Sequence, residues 1–299
     1  NPVVESGSLE RDLERRDFTV NAMALELSLS GDGEPLLLDP HGGQDHLARR
    51  ELAFLHGSSV ADDPTRVVRA CRYAARLAFV LAPEAQQQIN QTLESWPWSW
   101  THGDVPAAAP PALATRLRME LELLFEREPW PEALLALQSW GALMLLDPAL
   151  QADPRLVRRL LQAQRLQLPL LPALVAGADD PLELAARLQL PQQQQRWLQQ
   201  MQELSAWLEV NAFEDALAGW TAEEWCDALE QQAWGAEAVA LLVSQNPPQR
   251  RPLLRWWGRW RHCPSPLTAK DLLAQGWQPG PDLGAELQRL RRQSLRAMR

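Results

Sequence analysis

The chain has 299 residues, 46% hydrophobic and 22% charged, with 24 prolines, enough apolar length for two or three folded units and too much for an intrinsically disordered chain. Its three cysteines, Cys71, Cys226 and Cys263, are widely spaced and argue against a disulfide framework or a CxxC-type zinc site. No apolar run approaches the roughly 20 residues that span a bilayer, so no membrane segment and a reducing, cytoplasmic setting are expected. The net charge of −9 discourages a nucleic-acid partner when averaged over the whole chain, but the charge is unevenly distributed.

Asn1 is not an initiator Met and is followed by mid-domain sequence, so the chain is expected to start inside a domain. Residues 9–17 (LERDLERRD) read as a salt-bridged surface turn, with Phe18, Val20, Ala22 and Ala24 as the inward face of a strand. Residues 20–29 and 35–39 flank Ser30-Gly31-Asp32-Gly33-Glu34, a hairpin signal and the only convincing β-structure. Asp39-Pro40 ends a strand, and Gly42-Gly43 is read as a mobile turn. From Asp62 onward apolar residues recur at helical spacing, broken at 107–112, 179–181 and 246–248, with linkers expected over Thr101–Pro111 and Asn246–Pro252. The fold class is mainly α. The Gln runs at 192–195 and 199–200 alternate with Trp197, Leu198 and Met201 and predict a helix with a solvated face.

The last segment changes sign. Residues 246–299 carry 11 basic against 3 acidic side chains, or +8, which leaves −17 for residues 1–245. Trp256, Trp257 and Trp260 interleave there with Arg255, Arg259 and Arg261. That pattern suits either a stacking surface for single-stranded nucleic acid or a buried tryptophan cluster ringed by solvated arginines.

The densest local pattern is ADDPTRVVRACRYAARLAF at 61–79. Asp63 suits a helix N-cap and Pro64 the first helical position. At 100° per residue, Arg66, Arg69, Arg72 and Arg76 fall within a stripe about 120° wide. Val67, Val68, Ala70, Cys71, Ala74, Ala75, Leu77 and Ala78 take the other side. Four guanidinium groups on one stripe repel unless a polyanion, such as a triphosphate, or several carboxylates lie against them; ion pairs on a solvated face are the alternative. Asp63, acceptor-only, and Arg66, donor-only, offer both hydrogen-bond polarities to a base edge. LLLDPHGGQDHL at 36–47 lacks the GxxxxGK[ST] pattern, which excludes a P-loop.

RRDFTVNAMA at 15–24, LLDPHGGQDHL at 37–47 and DDPTRVVRACRYAARLAF at 62–79 resemble, in order and spacing, the class II tRNA nucleotidyltransferase / poly(A) polymerase family. Residues 268–295 resemble the tail of the same family, while 80–265 match mainly in helical character. The resemblance implies a head remnant over 1–56, a nucleotide-reading helical neck over 57–125, a helical body over 126–245 and a basic tRNA-binding tail over 246–299. It implies transfer of C or A from CTP or ATP to tRNA 3′ ends. Arg16 would meet nucleotide phosphates, and Asp17 and Asn21 would lie near the ribose and metal end of the pocket. Asp63 and Arg66 would select the base, and Arg69 and Arg72 would contact nucleotide. Asp39 to Leu47 would form a flexible specificity loop, with residues 115–121 supporting the pocket. RNA contacts are expected from Arg255, Arg259, Arg261, Lys270, Arg291 and Arg292.

Two departures stand out. Asp62 replaces the family's Glu, one methylene shorter, which predicts an altered hydrogen bond to Arg66. The family's DxD pair, whose carboxylates hold Mg²⁺, has no counterpart in this sequence, and Asp12, Asp17 and Asp39 are better explained by their own motifs. No HD dipeptide occurs, so the metal-dependent phosphohydrolase domain of some relatives is not expected. A non-catalytic helical RNA-binding protein and an all-helical interaction scaffold are the rival readings.

Overall fold

The computed structural model describes residues 7–27, 35–94, 111–211, 217 and 219–298. Asn1, the expected hairpin turn at 30–34 and residues 101–110 of the expected linker lie outside the described residues. In chain order the elements begin with α1 (Leu9–Leu13), a 3-10 turn at Thr19–Asn21, β1 (Ala24–Glu26), β2 (Leu36–Leu38), α2 (Gly43–Arg49), β3 (Glu51–Leu52) and α3 (Ser59–Asp62). Then come α4 (Thr65–Leu77), β4 (Val80–Leu81), α5 (Pro83–Glu94), α6 (Pro111–Arg127), α7 (Trp130–Ser139), a 3-10 turn at Ala142–Leu145, α8 (Pro148–Ala152) and α9 (Leu156–Arg165). The remainder is α10 (Leu170–Val175), α11 (Pro181–Arg187), α12 (Gln192–Asn211), α13 (Ala222–Gln231), α14 (Ala236–Ser244), α15 (Arg250–Gly258), a 3-10 turn at Trp260–His262, α16 (Ala269–Ala274) and α17 (Pro281–Arg296).

The described chain is mainly α, and its contacts gather into two compact units. One comprises residues 1–157 with 178–190, the other 158–177 with 191–299.

In the first unit, β1 and β2 pair antiparallel with Ala24 opposite Leu38 and Glu26 opposite Leu36, so the flanks of the expected hairpin do meet. A second pairing has no hairpin signal: β3 and β4 run parallel, Glu51 beside Val80, with α3 and α4 in the crossover between them. The segment around Phe18 is a 3-10 turn rather than a strand. Phe18 and Ala22 are nonetheless fully buried, and Phe18 packs on Phe54 and Tyr73 with ring centroids 5.6 and 5.4 Å away. The expected mobile turn at Gly42-Gly43 is the start of α2. Gly42 takes the left-handed conformation at φ +69°, and a Cβ on Gly43 would stand 2.4 Å from the Thr19 carbonyl oxygen, so only glycine fits that approach.

Helix α4 packs against α6 and α7. Val67, Val68, Ala70, Cys71 and Ala74 form its buried face, each larger side chain contributing about 1.5–3 kcal/mol. Leu77, expected on that face, is 42% exposed, because the helix ends there and Ala78 turns left-handed at φ +54°.

In the second unit, α12 packs on α14, which packs on α15, while α13 meets α15 and α17. The Gln-rich α12 buries Leu198, Met201, Leu204 and Leu208 and keeps its seven glutamines out of the core, three exposed and four half-buried. Trp207, Trp220, Trp225 and Trp234 meet edge-to-face at centroid distances of 5.4–6.0 Å. The expected linker at 246–252 is shorter than the Pro pair suggests, since α15 already begins at Arg250.

Candidate functional site

Asp63 opens α4. Its Oδ1 accepts from the Thr65 backbone N–H at 3.1 Å and from the Thr65 hydroxyl at 2.6 Å, fixing the carboxylate at the helix start. Its Oδ2 accepts from Arg116 Nη1 on α6 at 3.3 Å. Three residues on, Arg66 donates through Nη1 to the Ser59 carbonyl at 3.1 Å, and no carboxylate pairs with it among the described residues. The orientation of Arg66 therefore comes from the backbone of α3. Asp62 is instead engaged by the Ser58 hydroxyl at 3.0 Å.

The rest of the arginine stripe is not open to a polyanion. Arg69 donates from Nε and Nη2 to Asp17 Oδ2 at 2.9 and 2.6 Å, and from Nη1 to Glu120 at 3.0 Å. Arg72 donates to Glu120 and, at 3.2 Å, to Glu128, which also receives Arg76 at 2.9 Å. Asp17 Oδ1 meanwhile accepts from Asn21 Nδ2 at 2.9 Å. The result is one polar chain, Asn21–Asp17–Arg69–Glu120–Arg72–Glu128–Arg76, in which three carboxylates balance three guanidinium groups. Arg72 is buried and the Glu128 side chain is completely so. Burial works against the charge on Arg69, but its bonds to Asp17 and Glu120 outweigh this and hold the guanidinium more firmly protonated than usual. Of the sequence-expected nucleotide contacts, Asp17, Asn21, Arg69 and Arg72 are thus tied to each other and to α6. Asp63 and Arg66 remain at the open end. Sequence reasoning passed over Glu128 altogether and met Glu120 only inside the 115–121 motif.

Arg16 lies at the surface and donates to Asp12 at 2.5 Å; Arg15 also donates to Asp12, at 2.9 Å. Asp39 caps α2 by accepting from the backbone N–H groups of Gly43 and Gln44 at 2.7 and 2.9 Å. Burial opposes its ionisation, but these bonds keep its carboxyl below the ordinary range. Asp12, Asp17 and Asp39 therefore each serve local donors and do not fit a magnesium centre, and no group of three or more potential ligands converges among the described residues.

The basic tail, within the second unit, divides in two. On α17, Arg291 forks onto Glu230 at 2.6 and 2.7 Å, Arg292 pairs with Asp227 at 3.2 Å, and Arg296 pairs with Glu223 at 2.9 Å. Glu223, Asp227 and Glu230 form an acidic stripe on α13. Arg291 and Arg292, expected to contact RNA, are neutralised within the chain. Arg255, Arg259 and Lys270 are exposed, while Arg261 stacks over the Trp257 ring at 5.4 Å. Trp256 and Trp260 are buried, which resolves the tryptophan-arginine alternation mostly in favour of a packed cluster.

Residues 1–53 match the family model described as Poly A polymerase head domain. The CC-adding tRNA nucleotidyltransferase of Deinococcus radiodurans is 40% identical over 196 residues, 64% of this chain and 46% of that protein. These matches make the chain similar, over part of its length, to class II tRNA nucleotidyltransferases and poly(A) polymerases. Another relative, the A-adding tRNA nucleotidyltransferase of Geobacter sulfurreducens, is 34% identical over 51% of this chain and 16% of that protein. The chain thus spans less than half the length of either relative. Two solved structures share its fold. A CCA-adding enzyme with CTP superposes with a TM-score of 0.68 at 21% identity, covering 97% of this chain and 69% of that one. The Thermotoga maritima CCA-adding enzyme complexed with tRNA gives 0.67 at 20% identity, covering 97% and 70%. Residues 62–66 lie at the start of the helix whose later turns are tied to Glu120 and Glu128. No helix among the described residues is long and apolar enough to cross a membrane.

Proposed function

We propose that this chain is the nucleotide-reading and RNA-holding part of a template-independent nucleotidyltransferase that extends tRNA 3′ ends with C or A from CTP or ATP. The observation that carries the reading is the pair at the open end of α4: Asp63 presents an acceptor, and Arg66 keeps donors that no carboxylate among the described residues takes. Cytosine and adenine both place an exocyclic amine, a donor, beside a ring nitrogen acceptor, and an Asp/Arg pair answers both polarities. The closed chain from Asn21 to Arg76 acts in this reading as the frame that keeps α4 in place, with Asp17, Asn21, Arg69 and Arg72 as positioning residues. Arg16 is the exposed cation for phosphate.

Residues 1–56 are assigned to the head, 57–125 to the neck, 126–245 to the body and 246–299 to the tail. Arg255, Arg259, Arg261 and Lys270 are the tail side chains assigned to tRNA phosphates. Magnesium supplies leaving-group and hydroxyl activation in such transfers, and its ligands are assigned outside the described residues. The setting is assigned as cytoplasmic. Titration calorimetry with CTP and ATP tests the reading: both nucleotides bind the wild type, and Arg66→Ala weakens both by at least tenfold. Unchanged binding in that variant refutes it.

A further inference from the structure

The two oxygens of Asp63 are not equivalent. Oδ1 is consumed by the Thr65 N–H and hydroxyl that start α4, so a base can be read only through Oδ2. That oxygen is held by Arg116 through a single long bond of 3.3 Å, from a side chain 62% exposed and with no second partner among the described residues. Its neighbours on α6 are committed elsewhere: Arg118 donates to the Gln189 carbonyl, and Glu120 is taken by Arg69 and Arg72. Arg116 is therefore a mobile-stemmed cation resting on the one carboxylate oxygen the base must use, and two Thr65 bonds hold Asp63 in place without it.

We infer that Arg116 is an affinity-tuning residue of the nucleotide site that competes with the incoming base for Asp63 Oδ2. A base that donates an exocyclic amine there replaces one donor by another and leaves the carboxylate satisfied. A base with a carbonyl at that place sets an acceptor against an acceptor and cannot displace the arginine. Arg116 thus lowers the affinity for amine-bearing bases by the strength of an exposed ion pair. It withholds the bare carboxylate from ligands of other kinds. The inference rests on the proposed base-reading role of Asp63 and Arg66.

The test compares CTP, ATP and UTP binding in the wild type, Arg116→Ala, Arg116→Lys and Arg66→Ala. Removing the competitor in Arg116→Ala tightens CTP and ATP by roughly two- to fivefold, the range of an exposed ion pair, and leaves UTP unchanged. Arg116→Lys, which keeps a cation within reach, stays near wild type. If Arg116→Ala leaves CTP and ATP unchanged, weakens them, or shifts all three nucleotides equally while Arg66→Ala still weakens binding at least tenfold, the competition is overturned and the base-reading pair stands. If the wild type binds no nucleotide, or Arg66→Ala binds as well as wild type, both fall.

Discussion

Glu128 is the strongest single test of the frame behind the proposed base-reading pair. Its carboxylate is completely buried and accepts from Arg72 at 3.2 Å and from Arg76 at 2.9 Å. Breaking a buried ion pair by deleting one partner costs about 3–5 kcal/mol, because the other charge is left desolvated. Two features lower that figure for Glu128→Ala: Arg76 is 48% exposed and can turn to water, while Arg72, 11% exposed, keeps Glu120. We therefore expect the low end, about 3 kcal/mol, lost from the opening of α4. Every 1.4 kcal/mol is a factor of ten, so amide hydrogen exchange across 65–77, followed by mass spectrometry, should speed up by roughly 100-fold. Glu122→Ala is the control: Glu122 is 42% exposed, stands 3.7 Å from Arg118, and should change exchange by less than about threefold. Exchange in Glu128→Ala within threefold of wild type would show that the α4–α6 ion pairs do not hold the helix, and the frame argument would fail.

Three further outcomes follow from particular contacts. Gly43→Ala drives a Cβ to 2.4 Å from a backbone oxygen and should lower stability by about 1–3 kcal/mol in thermal unfolding. Gly42→Ala, in open space with φ +69°, should cost only about 1–2 kcal/mol of backbone strain. Glu223 is held below the ordinary carboxylate range by its hydrogen bond to Arg296. Its contribution to docking α17 is therefore fully present above that range and lost as pH falls through the lowered value, so exchange in 281–296 should be flat near neutrality and rise only in acid. Replacing Glu223, Asp227 and Glu230 together by their amides should free Arg291, Arg292 and Arg296. That change should strengthen tRNA binding and steepen its log–log salt dependence by up to about 2–3 units.

The helical class, the start of α4 and the buried side of that helix were legible because they are local. The Asp-Pro cap, the 3.6-residue apolar recurrence and the burial of Val67, Val68 and Cys71 all arise within about a dozen residues. The parallel β3–β4 pair was not legible. It is two residues wide, and its partners are 29 positions apart in sequence with two helices between, so neither alternation nor a turn marks it. The Gly42-Gly43 segment misled for a related reason. Glycine pairs signal a turn, but Gly43 is required by the approach of Thr19, a contact that exists only once the 3-10 turn has formed.

The same distinction governs the site. Helical spacing put four arginines on one stripe, and repulsion required counter-charge; what spacing alone could not supply was its origin. The counter-charge comes from Asp17, 52 residues before Arg69, and from Glu120 and Glu128, 48 and 56 residues after Arg72. A signal was present along α6 and at the residue that follows it, where Glu120 and Glu128 lie eight residues apart on neighbouring faces of a segment rich in leucine. The tail repeats the pattern: Glu223, Asp227 and Glu230 recur at spacings of four and three on α13, one face of a helix that must meet cations. In both places the net charge of a segment overstated what it offers a polyanion. Among the described residues, Arg66 beside Asp63 and the exposed Arg255, Arg259 and Lys270 have no carboxylate partner, so a nucleotide or RNA phosphate meeting them has no internal carboxylate to displace.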